Sequence, residues 1–170
     1  MLDKKISDLI NEQINKELYS AYLYLDISNY YNEKGLVGFG NWYKVQAQEE
    51  MAHAMLFLEY MHLTGQNVTL EAIEKPAVEY KDNKTGLETG LEHERCVTAS
   101  INNIYSVANE LKDYKTVEFL TWFIKEQREE ETNAEDLLQR FELYGMDPRS
   151  LYMLDKELEA RVYVAPSLVL

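Results

Sequence analysis

Four long stretches with helical period, set as two pairs on either side of a linker that has none, constrain this chain more than any other feature. From about residue 3 to 33 apolar residues return at three- and four-residue steps, through Ile6, Ile10, Ile14, Ala21 and Leu25. Such steps gather side chains on one face of an α-helix. After Gly35 a second stretch, about 39–64, repeats the pattern with Trp42, Val45, Ala52, Leu56 and Tyr60, and Gly65 ends it. The short break makes these two an antiparallel hairpin. Thr85-Gly86-Leu87-Glu88 has the form of a capping box. It opens a third stretch, about 86–112, striped by Leu91, Val97, Ile101, Ile104, Ala108 and Leu111. A turn near Lys112-Asp113-Tyr114 leads into a fourth, about 114–144, through Leu120, Phe123, Ala134, Leu137 and Phe141. Gly145 closes it, and Asp147-Pro148 opens a shorter fifth helix, about 148–158.

The linker, 66–84, holds Asn67, Pro76, Asp82 and Asn83 and little periodicity. Extended, it reaches about 60 Å, against about 40–45 Å for a helix of ~28 residues. It can therefore cross the length of the bundle and start the third helix at the far end. The expectation is one all-α domain over residues 1–170: a four-helix bundle with one long crossover and a short fifth, C-terminal helix.

Polar residues interrupt these apolar stripes at matched places. Glu17 follows Ile14 in the first helix, and Glu50-x-x-His53 breaks the second. Glu94 lies between Leu91 and Val97, and Gln127 and Glu130 lie between Phe123 and Ala134. Counted from Gly35, Glu17 is 18 residues before the turn, Glu50 is 15 after and His53 is 18 after. Counted from Asp113, Glu94 is 19 before, Gln127 is 14 after and Glu130 is 17 after. Antiparallel partners equally far from their turn lie at equal height, so the interruptions share one level near mid-bundle. A lone Glu-x-x-His is more often ordinary helix surface, and Glu126 to Glu131 alone reads as a solvated acidic face. Their common level favours metal instead, because buried acids are costly unless something binds them. Carboxylates with one imidazole, one amide and no thiolate suit iron, manganese or magnesium, and zinc or cobalt could still enter. Two ions need shared carboxylates, for which Glu50 and Glu130 are the natural candidates.

At these residues the chain resembles the non-haem ferritins of bacterial and archaeal type. The matching segments are Asn11-Glu12-Gln13, Glu17-Leu18-Tyr19-Ser20, Ala47-Gln48-Glu49-Glu50-Met51-Ala52-His53 and Glu94. They continue with Phe119-Leu120-Thr121-Trp122-Phe123, Glu126-Gln127-Arg128-Glu129-Glu130-Glu131 and Leu154-Asp155-Lys156-Glu157-Leu158. Gln127-x-x-Glu130 stands where the wider di-iron fold has a second Glu-x-x-His, which weakens the second metal position and suits iron in transit. The resemblance implies a ferritin-like fold, iron storage and a ferroxidase centre using O2 or H2O2. Glu17, Glu50 and His53 would hold the first iron; Glu94, Glu50 and Glu130 would hold the second, with Gln127 on the oxygen side. A third iron would map onto Glu49, Glu126, Glu129 and Glu130. It further implies a homo-oligomeric shell of twenty-four subunits, with the fifth helix lining a channel, and a reductant of unknown identity for iron release.

Tyr24 and Trp122 rise from the same helix faces as the acids and could bond a ligand or pass an electron. The resemblance supports Tyr24 in such a role, while Trp122 reads equally as packing. Met51 invites a haem reading, but the rest of the chain matches non-haem relatives; packing is expected, and no haem. His62, His93 and Cys96 have no evident partner. A net charge of −13 makes nucleic acid an unsuitable partner. A single cysteine excludes an intrachain disulfide, and no apolar run approaches the ~18 residues that cross a bilayer. Met1-Leu2-Asp3-Lys4-Lys5 leads directly into helix, so a cytoplasmic protein is expected. The competing classes are a binding-only iron buffer, against which the near-complete ligand set argues, and a cytokine-like bundle, which would not set acids at one core level.

Overall fold

The computed structural model describes residues 2–170. Five helices follow in order: α1 Lys4–Glu33, α2 Val37–Leu63, α3 Thr85–Glu110, α4 Tyr114–Tyr144 and α5 Pro148–Leu158. α1 pairs with α2 and α3 with α4, α1 also meets α3, and α5 rests on α2 and α4. The described residues include no strand. No helix among them is long and apolar enough to cross a membrane.

The helix ends follow from local chemistry. Gly35 and Gly65 take positive φ of 75° and 72°. Behind them the N–H groups of Leu36 and Gln66 reach back to Tyr31 O and Met61 O, each at 2.9 Å. That is the left-handed closure for which glycine has no Cβ penalty. α3 closes in the same manner on Lys112, at φ 57°. The start of α3 differs from the expected capping box. Asp82 Oδ1 accepts the N–H groups of Lys84 and Thr85, both at 2.9 Å, and the Thr85 hydroxyl at 3.0 Å. Glu88 pairs instead with Lys84 at 3.0 Å. α2 has no side-chain cap of its own. Buried Asp155 of α5 supplies one, its Oδ1 accepting from Gly38 N–H at 2.8 Å and Phe39 N–H at 3.0 Å. A methyl on Gly38 would collide with the Asp155 backbone carbonyl. A glycine there lets α5 dock.

The linker runs along α1, as its reach allows. Asn11 exchanges two hydrogen bonds with the Thr69 backbone near one end of the helix. Near the other end Tyr80 stacks on Tyr30 at 4.2 Å and donates to Asp26 at 2.7 Å. Asn83 O accepts from Tyr31 at 2.7 Å.

The apolar core is divided. One cluster joins Ile6, Ile10 and Ile14 to Phe57, Ile101, Leu120 and Phe123. A second joins Leu23, Tyr24 and Ile27 to Phe39, Tyr43, Leu87, Leu137 and Phe141. Between them every long helix contributes buried polar residues, and these fill the gap. Leu25 and Leu111, expected on the stripes, are 49% and 46% exposed. The buried face of α1 runs through Tyr24, Ile27, Ser28 and Tyr31, and one further residue rotates Leu25 about 100° off it.

Candidate metal centre

The polar layer consists of Glu17 from α1, Glu50 and His53 from α2, Glu94 from α3, and Gln127 and Glu130 from α4, each 5% exposed or less. The order follows the sequence: each residue takes a step on an apolar stripe, so folding that buries the stripe buries it too. Carboxylates this dry resist ionisation. Burial, and then repulsion from neighbouring acids, holds the Glu17 and Glu50 carboxyls well above the ordinary range. Burial and the charge of Glu130 push Glu94 up to about 8.

What is bonded and what is not reveals the centre. Glu17, Glu50 and His53 each offer a ligand atom, and all three atoms lie within 4.8 Å of one another. Yet Glu17 Oε2, both oxygens of Glu50 and His53 Nδ1 are buried with no other group to bond them, save a proton that the two carboxyls can share. His53 Nδ1 and Glu50 Oε2 are 3.6 Å apart, too far to bond each other. Orphaned buried acceptors are rare in folded proteins. Four of them converging fit a cation. Glu94 by contrast is held, since Tyr24 O–H donates to its Oε1 and Gln127 Nε2 to its Oε2 at 3.1 Å. Glu130 Oε2 accepts from Gln46 Nε2 at 2.9 Å. Gln127 therefore points an amide donor, not an acceptor, at Glu94.

A second grouping sets His53 with Glu126 and Glu130, again with ligand atoms within 4.8 Å. Of the remaining acids expected near a third metal, Glu129 is exposed and Glu49 half-buried. Glu49 is engaged: Arg161 Nη2 donates to its Oε2 at 2.7 Å, and the guanidinium stacks on Trp42 at 4.0 Å. Burial still pushes Glu49 up to about 7. Arg161 belongs to the tail that follows α5. Asn41 Nδ2 holds the tail through the carbonyls of Leu158 and Arg161. Ser167 Oγ accepts from Trp122 Nε1 at 3.1 Å, and Leu168 packs on the first core cluster. Trp122 thus bonds the tail rather than a ligand, while its ring meets His53 edge-on at 5.6 Å.

Several residues depart from expectation. Met51, read as packing, is 46% exposed on α2. His93 has a partner, Ser20 Oγ at 2.7 Å, and burial lowers its pKa to about 4. Gln46 and Gln13, both buried beside ligands, carried no expectation as site residues. A glutamine between apolar residues reads as the edge of a stripe; only the arrangement in space gives it a carboxylate to hold.

A bundle of two hairpins, one long crossover and a mid-height layer of carboxylates with a histidine defines a class. A family profile for the ferritin-like domain matches residues 7–144. The chain belongs to the ferritin-like family. It is 38% identical over 158 residues to a probable bacterial non-heme ferritin-like protein of Haemophilus influenzae, covering 93% of this chain and 96% of that protein. A bacterial non-heme ferritin of Staphylococcus saprophyticus is 36% identical over 163 residues, covering 96% and 98%. Among solved structures, the open pore ferritin of Archaeoglobus fulgidus superposes with a TM-score of 0.93 at 41% identity, covering 95% and 100%.

Proposed function

We propose that this protein is an iron-storage ferritin that oxidises Fe2+ at a di-iron centre inside each subunit. The observation that carries the reading is the set of four buried ligand atoms on Glu17, Glu50 and His53 that no group outside the centre bonds. Glu17, Glu50 and His53 hold the first Fe2+; Glu94, Glu50 and Glu130 hold the second, and Tyr24 and Gln127 orient Glu94. Glu50 has both oxygens free and is the bridging group. Glu130, with one oxygen committed to Gln46, shares only the other.

Two Fe2+ ions replace the protons that the raised carboxyls carry. Each ion gives up one electron, and dioxygen takes two electrons and two protons to become hydrogen peroxide. Peroxide in turn serves as an alternative oxidant. Glu126, Glu129 and Glu49 continue the acidic surface away from the centre and receive ferric product on its way to a mineral. The mineral lies within a hollow shell of twenty-four copies. The names of the relatives support storage of non-haem iron, and the exposed Leu25, Met51 and Met55 on α1 and α2 give copies an apolar surface to share.

Stopped-flow mixing of Fe2+ with oxygenated protein tests the centre. Glu50→Ala and His53→Ala are expected to slow the fast phase by about 100-fold or more, since losing a ligand should cost no less than losing a ligand's outer partner. In Glu50→Ala, metal-free stability should be unchanged or raised, because a desolvated carboxyl is removed. A fast phase at the wild-type rate in Glu50→Ala removes the assignment.

A further inference from the structure

Glu17 is gripped from outside the centre by a chain of side chains that reaches the protein surface. Gln13, one turn earlier on α1 and fully buried, donates from Nε2 to Glu17 Oε1 at 2.7 Å. Ser100 of α3 donates from Oγ to Gln13 Oε1 at 2.6 Å. Lys16, exposed on α1, donates from Nζ to Ser100 Oγ at 2.8 Å. Every donor in this chain points toward Glu17. An ammonium has donors only, so Ser100 must accept from Lys16 and has one proton left to give. In the structure that proton goes to the oxygen of Gln13, which leaves the amide nitrogen facing Glu17. Glu17 Oε1 is thereby compelled to accept, and Oε2 alone remains free.

We propose that Gln13 is a positioning residue for the first metal position, locked by Ser100 and Lys16, and that it makes Glu17 a one-oxygen ligand. The inference rests on the metal-centre reading above. The same device recurs on two other acids, with Gln46 on Glu130 and Gln127 on Glu94. The Gln13 chain differs in its length: it leaves α1 for Ser100 of α3 and returns to α1 at Lys16, a cation on the surface. Hydrogen bonds in series polarise one another, so the lysine strengthens the Gln13–Glu17 contact. Outer partners of metal ligands typically change affinity by about 10–100-fold.

Anaerobic titration of the assembled, metal-free protein with Co2+ provides the test, read by calorimetry and by the visible absorption band. In Gln13→Leu the first Co2+ is expected to bind about tenfold more weakly. Its band should lose intensity, because Glu17 freed to offer both oxygens raises the coordination number. Ser100→Ala should fall between wild type and Gln13→Leu, and Lys16→Met should show a smaller loss. The Gln13→Leu/Ser100→Ala double variant should be no weaker than Gln13→Leu alone, since the serine acts only through the glutamine. Ser100 is half-buried, so its variant carries the test if Gln13→Leu does not fold. Binding and band equal to wild type in Gln13→Leu, or in Ser100→Ala where that variant stands alone, overturn the proposal, as do additive losses. A wild-type protein that takes up no Co2+ overturns the metal-centre reading with it.

Discussion

Each acid of the centre meets a different partner, and these partners assign it a different freedom. Glu94 is held on both oxygens, by Tyr24 and Gln127. Removing the phenol in Tyr24→Phe strips one donor from a carboxylate that is already costly to ionise. The second equivalent of Co2+ is therefore expected to bind about tenfold more weakly while the first is unaltered, as calorimetry would resolve. Equal weakening of both equivalents would mean that Tyr24 acts on the whole layer and not through Glu94. This scale also shows where the sequence stops speaking. Glu17, Glu50, His53, Glu94 and Glu130 are legible because charge on an apolar stripe breaks a pattern and the interruptions share a height. Gln13, Gln46 and Ser100 break nothing, and their roles depend on which atom faces which. The amide of Gln127 was visible, but its orientation toward Glu94 was not.

Among elements, the regular helices were readable from periodicity, whereas the joints between them depend on tertiary contacts. The α3 start is an example: Thr85 and Glu88 have the right spacing for a capping box, yet Asp82 is nearer in the turn and accepts the N–H groups of Lys84 and Thr85. The α2 start is another, because its cap lies more than a hundred residues away on Asp155. Asp155→Ala should cost about 2 kcal/mol or more in urea unfolding, since it removes a cap and leaves two buried N–H groups unpaired. It should also loosen α5, visible as faster amide exchange there. Unchanged exchange in α5 would show that its apolar contacts through Leu154 and Leu158 suffice. Lys112 offers the opposite sign. It sits at φ 57° without glycine's freedom, so Lys112→Gly is expected to stabilise by about 1 kcal/mol.

For the molecule as a whole, the divided core makes stability depend on pH and on metal together. Glu94, pushed up to about 8, and Glu17 and Glu50, also raised, keep protons in the folded metal-free protein that the unfolded chain has already released. Their folded pKa values exceed their unfolded ones, so the stabilising contribution is complete below about pH 4 and is lost as pH climbs toward about 8. The urea midpoint of chelator-treated protein should therefore decline between about pH 5 and 8. Saturating Co2+ should reduce that decline, because metal replaces the protons. A midpoint that stays flat in chelator and drops only with metal would contradict this account.

The Arg161 contact with Glu49 carries a consequence for how ions move off the centre. A guanidinium fixed to the same chain does not dilute: its tether keeps it before Glu49 at an effective concentration on the order of millimolar or higher. An ion from solution that binds Glu49 at Oε2 therefore has to exchange for a counter-ion that is covalently attached and ready to return. On the proposed route such a position would turn over quickly and retain little. An ion that claimed both oxygens of Glu49 would displace Arg161, and the pull would extend to a tail that is anchored at Asn41 and Trp122.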